Sequence, residues 1–387
     1  VNGRFPIVFP FTIHHSRRLR AIVIQPKLTV RNLRATAVKV PMTYVLGTSV
    51  QAVREAPLLL VDLETEEGVT GRAYQFCYLP AAAPAIVTLL EEVLRTVKGD
   101  ALEPEALWDK LARRFILIGV QGIVRMAMAM FDVACWDAVA RAKGVALVSL
   151  LDGAPGAVPA YNSCGLGLKD TPSAVADEAE KLLAGGFRGI KLRLGYATAE
   201  ADLAAVRAVR SRVANDIALM VDYNQALTVE EAIRRGRMLE GEGVYWLEEP
   251  VRHDDHAGCA AIARALALPV QIGENFSLVH DMERALALEA CDYVMPDLER
   301  IGGVTGWRRA AGVAGTRGLK MSSHLYPEVS AHLLAVTPTA HWLEYVDWAN
   351  AIVREPLRIV NGQAVIPDRP GNGLEWNEDA VRRWRLQ

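Results

Sequence analysis

The sequence predicts an α/β protein: a (β/α)8 barrel preceded by an α+β block, with a short C-terminal segment packing back on that block. Three observations lead there. After Gly156, eight short apolar or β-branched runs alternate with helical stretches, the count such a barrel needs. Before Gly156 the order is strands first and helices afterwards, the grammar of an α+β unit. Most of the eight runs also end in a polar or charged residue, as strands do when their C-terminal ends face an active site.

Composition sets the frame. The 387 residues are 51% apolar and 23% charged, and the formal net charge is −2. Such a balance lacks the positive potential of a nucleic-acid or membrane-surface binder, so neither partner is expected. No apolar run approaches the roughly 18–20 residues of a membrane span. Phe5–Phe11 is broken by two prolines and followed by no small-residue cleavage site, so no signal peptide is expected. The five cysteines form no C-x-x-C pair, which reads as reduced thiols in a cytoplasmic protein.

Taken in order, residues 1–27 are basic, the first acidic residue being Glu55, and read as a disordered extension or an assembly arm. The α+β block spans 28–156. Leu58–Leu63 and Arg72–Tyr78 are two strands joined by a turn at Gly68. Residues 82–98 and 104–116 have helical spacing, and Val124–Val145 is a long helix with small residues on one face. The barrel spans 157–350, with strands at Val158–Ser163, Gly189–Leu194, Ile217–Asp222, Val244–Glu248, Val270–Glu274, Tyr293–Asp297, Lys320–His324 and His341–Glu344. The segment 351–387 holds a strand pair around Asn361-Gly362 and a Pro/Gly-rich tail.

The chemistry lies at the strand ends. Asp222, Glu248 and Glu274 close three successive runs at a constant spacing of 26 residues, one βα unit each. An isolated acidic residue there is commonly a helix N-cap, but three in phase place three oxygen ligands side by side. An all-oxygen set suits a hard cation, Mg²⁺ before Zn²⁺. Glu249 points the other way along its strand and is expected outside the ligand set. Asp297 ends the next strand and His324 the one after. A histidine whose second ring nitrogen meets a carboxylate is held in one tautomer and made more basic, which suits a general base. Glu344 ends the eighth run. On the second strand Lys191 and Arg193 alternate with Leu192, so both cations share one face and point inward.

These residues carry a resemblance. Gly186-Phe187-Arg188-Gly189-Ile190-Lys191, Met220-Val221-Asp222-Tyr223-Asn224-Gln225, Ile301-Gly302-Gly303-Val304-Thr305-Gly306-Trp307, Met321-Ser322-Ser323-His324-Leu325 and Thr337-Pro338-Thr339-Ala340-His341-Trp342-Leu343-Glu344 are similar to the mandelate racemase subgroup of the enolase superfamily. From about Leu28 to the C-terminus, the resemblance implies a capping domain over the barrel and Mg²⁺ on Asp222, Glu248 and Glu274. It implies a small carboxylate substrate held by the metal, Lys191 and Ser163, with Asn224 near the α-hydroxyl and His324–Asp297 as the base for one enantiomer. Glu344 would donate to a doubly charged enediolate, which requires it to be protonated, kept so by burial. Relatives form symmetric oligomers, so a homo-oligomer is expected on analogy.

One position departs from the pattern. The family carries Lys-x-Lys on strand two, the second lysine serving the opposite face of the substrate; here that position is Arg193. Populating a neutral guanidinium at pH 7 costs about 8 kcal/mol, so an arginine is a fixed cation and donor rather than a base. Leu46, Val50, Val53, Phe76 and Tyr78 match apolar lid positions, and Leu325 extends that lining. An apolar pocket favours an aryl 2-hydroxy acid over a polyol acid. The expected activity is therefore abstraction of the α-proton of a 2-hydroxycarboxylate, of mandelate-racemising type. The alternative is an acid-sugar dehydratase working with the His324–Asp297 dyad alone.

Overall fold

A computed structural model describes residues 27–48 and 52–386. Residues 1–26 of the 1–27 extension, and Val50 of the lid, lie outside the described residues.

The first block is a three-stranded antiparallel sheet, β1 (Val30–Gly47), β2 (Ala52–Thr65) and β3 (Thr70–Phe76), in that order. Helices α1 (Ala82–Val97) and α3 (Gly122–Ala142) cover it, and α2 (Pro104–Arg114) packs against those two helices. Leu58–Leu63 is buried throughout, Asp62 included, as expected of a strand covered on both faces. Helix α3 is buried nearly all round. It packs so closely on β3 that a Cβ on Gly71 would stand 2.0 Å from the Ala134 carbonyl oxygen, so only glycine fits there. The short helix α4 (Leu147–Leu150) leads into the second block.

The barrel runs β4 (Ala157–Asn162), α5 (Pro172–Leu182), β5 (Gly189–Arg193), α6 (Ala199–Arg210), β6 (Ala218–Asp222), α7 (Val229–Leu239), β7 (Val244–Glu248), α8 (His256–Ala265), β8 (Val270–Ile272), α9 (Leu278–Ala287), β9 (Tyr293–Val294), α10 (Leu298–Ile301), α11 (Gly303–Arg317), α12 (Pro327–Leu334) and β10 (Leu343–Tyr345). β4 to β9 pair in parallel in sequence order, and β10 returns to pair with β4. The seventh predicted strand, Lys320–His324, departs from expectation. It closes the ring through single parallel bridges, Val294↔Met321, Asp297↔His324 and Met321↔Ala340. Pro296 in the neighbouring run has no N–H to give a continuous ladder. Register then fixes the site: Arg193 pairs with Asp222 and Asp222 with Glu248, so the strand ends stand level.

The C-terminal segment divides between the two blocks. The hairpin β11 (Arg358–Val360) and β12 (Gln363–Val365), turning at Asn361-Gly362, adds to β4 rather than to the first block. Its place is the start of β4, because β5 meets that strand only at Asn162 and leaves an open edge. The tail, ending in α13 (Glu378–Trp384), reaches the first block: Trp376 Nε1 donates to Asp62 at 2.8 Å and Leu386 N to the Ala37 carbonyl at 2.9 Å.

Candidate active site

The strand ends open into a cavity of about 230 Å³ beneath the β1–β2 hairpin. Asp222, Glu248 and Glu274 each bring one oxygen to within 4.8 Å of the others'. Their outer atoms are held in place: Asn224 donates to Asp222 from its backbone (2.7 Å) and side chain (3.0 Å), and Trp246 Nε1 to Glu248 (2.9 Å). Burial raises the pKa of Asp222 and pushes Glu248 up to about 8, with neighbouring carboxylates adding to both. A largely buried, all-oxygen cluster whose members repel one another fits a hard divalent cation, which would offset most of its charge. Glu249, at φ 40°, turns away to accept from Gly273 N (3.3 Å) and Asn275 Nδ2 (3.1 Å), outside the trio as expected from strand alternation.

On one side of the trio, Lys191 Nζ sits 2.7 Å from both Glu248 and Glu344 and 3.5 Å from Asp222. Arg193 also points inward, and both its terminal nitrogens are engaged, while Nε has no partner among the described residues. Nη1 gives to the carbonyls of Ser163 (3.0 Å) and Gly165 (2.6 Å), and Nη2 to Ser163 Oγ (2.9 Å). On the other side, His324 Nδ1 donates to Asp297 Oδ2 at 2.6 Å. Asp297 Oδ1 caps α10, accepting from the Glu299 and Arg300 N–H groups at 2.8 and 3.1 Å. The carboxylate is thus fixed by the helix start, and His324 Nε2 is left to face the cavity, 3.4 Å from Glu274. Burial alone would lower the imidazole pKa, but Glu274, Glu344 and Asp297 outweigh it and raise it to about 9.

Two expectations need correction. Glu344 is not kept protonated: burial favours the neutral acid, yet Lys191 and His324 hold its pKa well below the usual carboxylate range. Its Oε2 accepts from Leu325 N at 2.9 Å, which also favours the anion. Ser163 is not among the residues that line the cavity; its hydroxyl accepts from Arg193 Nη2. Lys191, Arg193, Asp222, Glu274, Asn224, His324, Leu325 and Glu344 do line it, as do Leu46, Val53, Phe76 and Tyr78 from the first block.

Sequence reasoning missed the polar residues Gln225, Asn275 and Arg300, and the apolar Trp348. Arg300 Nη1 bonds the Glu274 carbonyl and Asn275 Oδ1, both at 3.0 Å, and its guanidinium lies 4.7 Å from the Tyr78 ring centroid. Position was the available signal, since Gln225, Asn275 and Arg300 each follow a strand-end carboxylate within three residues. Trp348 offered none.

A barrel carrying a carboxylate trio, with two cations on one flank and a histidine–aspartate pair on the other, defines a metal-dependent enzyme that removes protons from carbon acids. The comparisons agree. Residues 30–152 match the mandelate racemase/muconate lactonizing enzyme N-terminal domain and 174–380 the enolase C-terminal domain-like family, and the chain belongs to this branch of the enolase superfamily. It is 31% identical to L-talarate/galactarate dehydratase of Salmonella typhimurium, over 85% of this chain and 83% of that protein. Among solved structures, an enolase from alpha proteobacterium bal199 with bound Mg has 45% identity and a TM-score of 0.91, covering 93% of this chain and all of that one. An enolase from Bradyrhizobium complexed with magnesium and mandelic acid has 38% identity and a TM-score of 0.89, covering 93% and 99%. The family is thus the one the sequence resembles, while curated relatives it matches include acid-sugar dehydratases and cycloisomerases.

Proposed function

We propose that this enzyme is a hydro-lyase acting on a polyhydroxylated 2-hydroxycarboxylate, with His324 as its one base. The engagement of Arg193 carries the reading: a guanidinium that donates to the Ser163 and Gly165 carbonyls and to the Ser163 hydroxyl serves as a hydrogen-bond donor there, where a lysine would supply a second base. Mg²⁺ on Asp222, Glu248 and Glu274 would supply positive charge against the substrate carboxylate, making the α-proton acidic. Lys191 adds a second cation to the same carboxylate, and Arg193 keeps a fixed charge beyond it. His324 Nε2 takes the α-proton; the C3–O bond then breaks, and the imidazolium returns that proton to the departing hydroxyl as water. The resulting enol tautomerises to a 2-keto-3-deoxy acid.

The cavity supports a hydroxylated substrate. Tyr78 Oη and Asn224 Oδ1 are buried without a partner among the described residues, and Gln225, Asn275 and Arg300 stand beside them. A second reading, proton abstraction from an aryl 2-hydroxy acid, is favoured by Leu46, Val53, Phe76, Leu325 and Trp348 in the same lining and by the mandelic acid complex of the Bradyrhizobium neighbour. Incubation with galactarate and with mandelate, followed for 2-keto acid formation and for optical rotation, separates the two. Keto acid from galactarate supports dehydration; racemised mandelate without keto acid overturns it.

Two further expectations stand as proposals. Five buried, unbridged cysteines fit the reducing cytoplasm, and no helix of the described residues is long and apolar enough to cross a membrane. Assembly into a homo-oligomer is supported by Ile116, Leu117 and Ile118, which are 70%, 96% and 68% exposed in succession.

A further inference from the structure

Two residues beyond the dyad, the same connection repeats. His324 and Asp297 are 27 residues apart and meet at 2.6 Å; Tyr326 and Glu299 are 27 residues apart and meet at 2.5 Å, hydroxyl to carboxylate. The Tyr326 hydroxyl also accepts from the backbone N–H of Phe76 at 3.1 Å. One oxygen therefore joins the loop that carries the base, the helix that carries its aspartate, and the end of β3 that lines the cavity.

Tyr326 reaches that point at a conformational cost. It and Leu325 both have φ of 51°, a left-handed backbone that bulky side chains seldom adopt, immediately after His324. The turn sends the ring up into the first block, where it packs on Tyr74 with centroids 5.3 Å apart. Glu299 is fully buried, and its Oε1 has no partner among the described residues. Asp297 and Arg300 from its own helix, His324 and Tyr326 from the following loop, Cys77 and Tyr78 from the end of β3, and Arg125 from α3 surround it. Two buried polar groups could be replaced by a hydrophobic pair with little loss of stability, so packing alone does not call for them.

We propose that Tyr326 and Glu299 are positioning residues for the His324–Asp297 base, clamping both halves of the dyad to β3 through one shared hydroxyl. This rests on His324 being the base, but its test does not require the substrate. The probe is the Mg²⁺-loaded enzyme observed by proton NMR at the downfield Nδ1–H resonance of His324, assigned by its loss in His324→Asn. Tyr326→Phe keeps the ring and removes the clamp; the resonance should move upfield or broaden by faster exchange with water. Tyr326→Phe with Glu299→Leu replaces the pair by apolar side chains, and should recover the melting temperature without recovering the resonance. With galactarate as substrate, kcat should fall about tenfold in both variants with KM within about twofold, as expected for a misplaced base rather than a lost binding contact. An unchanged resonance in Tyr326→Phe overturns the proposal, as does its recovery together with stability in the double variant. Failure of galactarate to react would sink the dehydratase reading and leave this result intact.

Discussion

Arg193 and Ser163 hold each other: the guanidinium bonds both the serine hydroxyl, at 2.9 Å, and its carbonyl, at 3.0 Å. The side chain at the second-base position is therefore a brace at the end of β4, and the serine expected to touch substrate is its partner. The flank opposite His324 carries the two basic side chains Lys191 and Arg193.

Arg193→Lys tests that asymmetry. An ammonium cannot span the acceptors on Ser163 and Gly165, so the variant should lose about 1–3 kcal/mol of stability through unmade hydrogen bonds. It gains a group that burial beside Lys191 can bring toward neutral pH. In D₂O, exchange of the α-proton on the face opposite His324 should rise at least about tenfold, with exchange on the His324 face unchanged. NMR on each enantiomer of a reactive 2-hydroxy acid reads both rates. Wild-type protein that already exchanges both faces equally contradicts the assignment.

Replacing the base should stop the reaction. His324→Asn is expected to lower α-proton exchange by about 10²-fold or more. Asp297→Asn should act in the same direction, because an amide lets the ring take the wrong tautomer. The assay is α-deuterium incorporation, and wild-type exchange in His324→Asn would place the base elsewhere.

Metal binding should release a proton. With its pKa near 8, Glu248 holds a proton below that pH in the metal-free protein, and Mg²⁺ must displace it. Affinity is therefore expected to strengthen as pH rises from 6 through 8. Calorimetry in two buffers of different ionisation enthalpy counts the protons released. Glu248→Gln should bind Mg²⁺ far more weakly; full affinity in that variant would remove Glu248 from the ligand set.

The base should become usable when the metal binds. Without metal, His324 is raised to about 9, chiefly by the carboxylate charges of Glu274, 3.4 Å away, and Glu344 against the opposing effect of burial. A cation on Glu274 cancels part of that attraction for the proton, so the titration midpoint should fall on adding Mg²⁺. Chelation should move it back up. Histidine NMR titration with and without Mg²⁺ measures the shift, and a midpoint indifferent to metal contradicts the arrangement.

The barrel and the ends of its strands were legible because both are periodic. Alternation places Lys191 and Arg193 on one face, and a constant βα length sets Asp222, Glu248 and Glu274 in phase. Those features follow from local chain geometry and need no knowledge of what packs against what. The seventh strand and the C-terminal hairpin were placed less well, since a proline's missing N–H and the open start of β4 matter only once neighbours are aligned. The ionisation of Glu344, the capture of Ser163 by Arg193 and the clamp of Tyr326 on Glu299 belong wholly to the tertiary structure. Each depends on a partner 19 to 153 residues away brought within 3 Å in a buried site, where the charge state of a group is set by its neighbours and not by its own type.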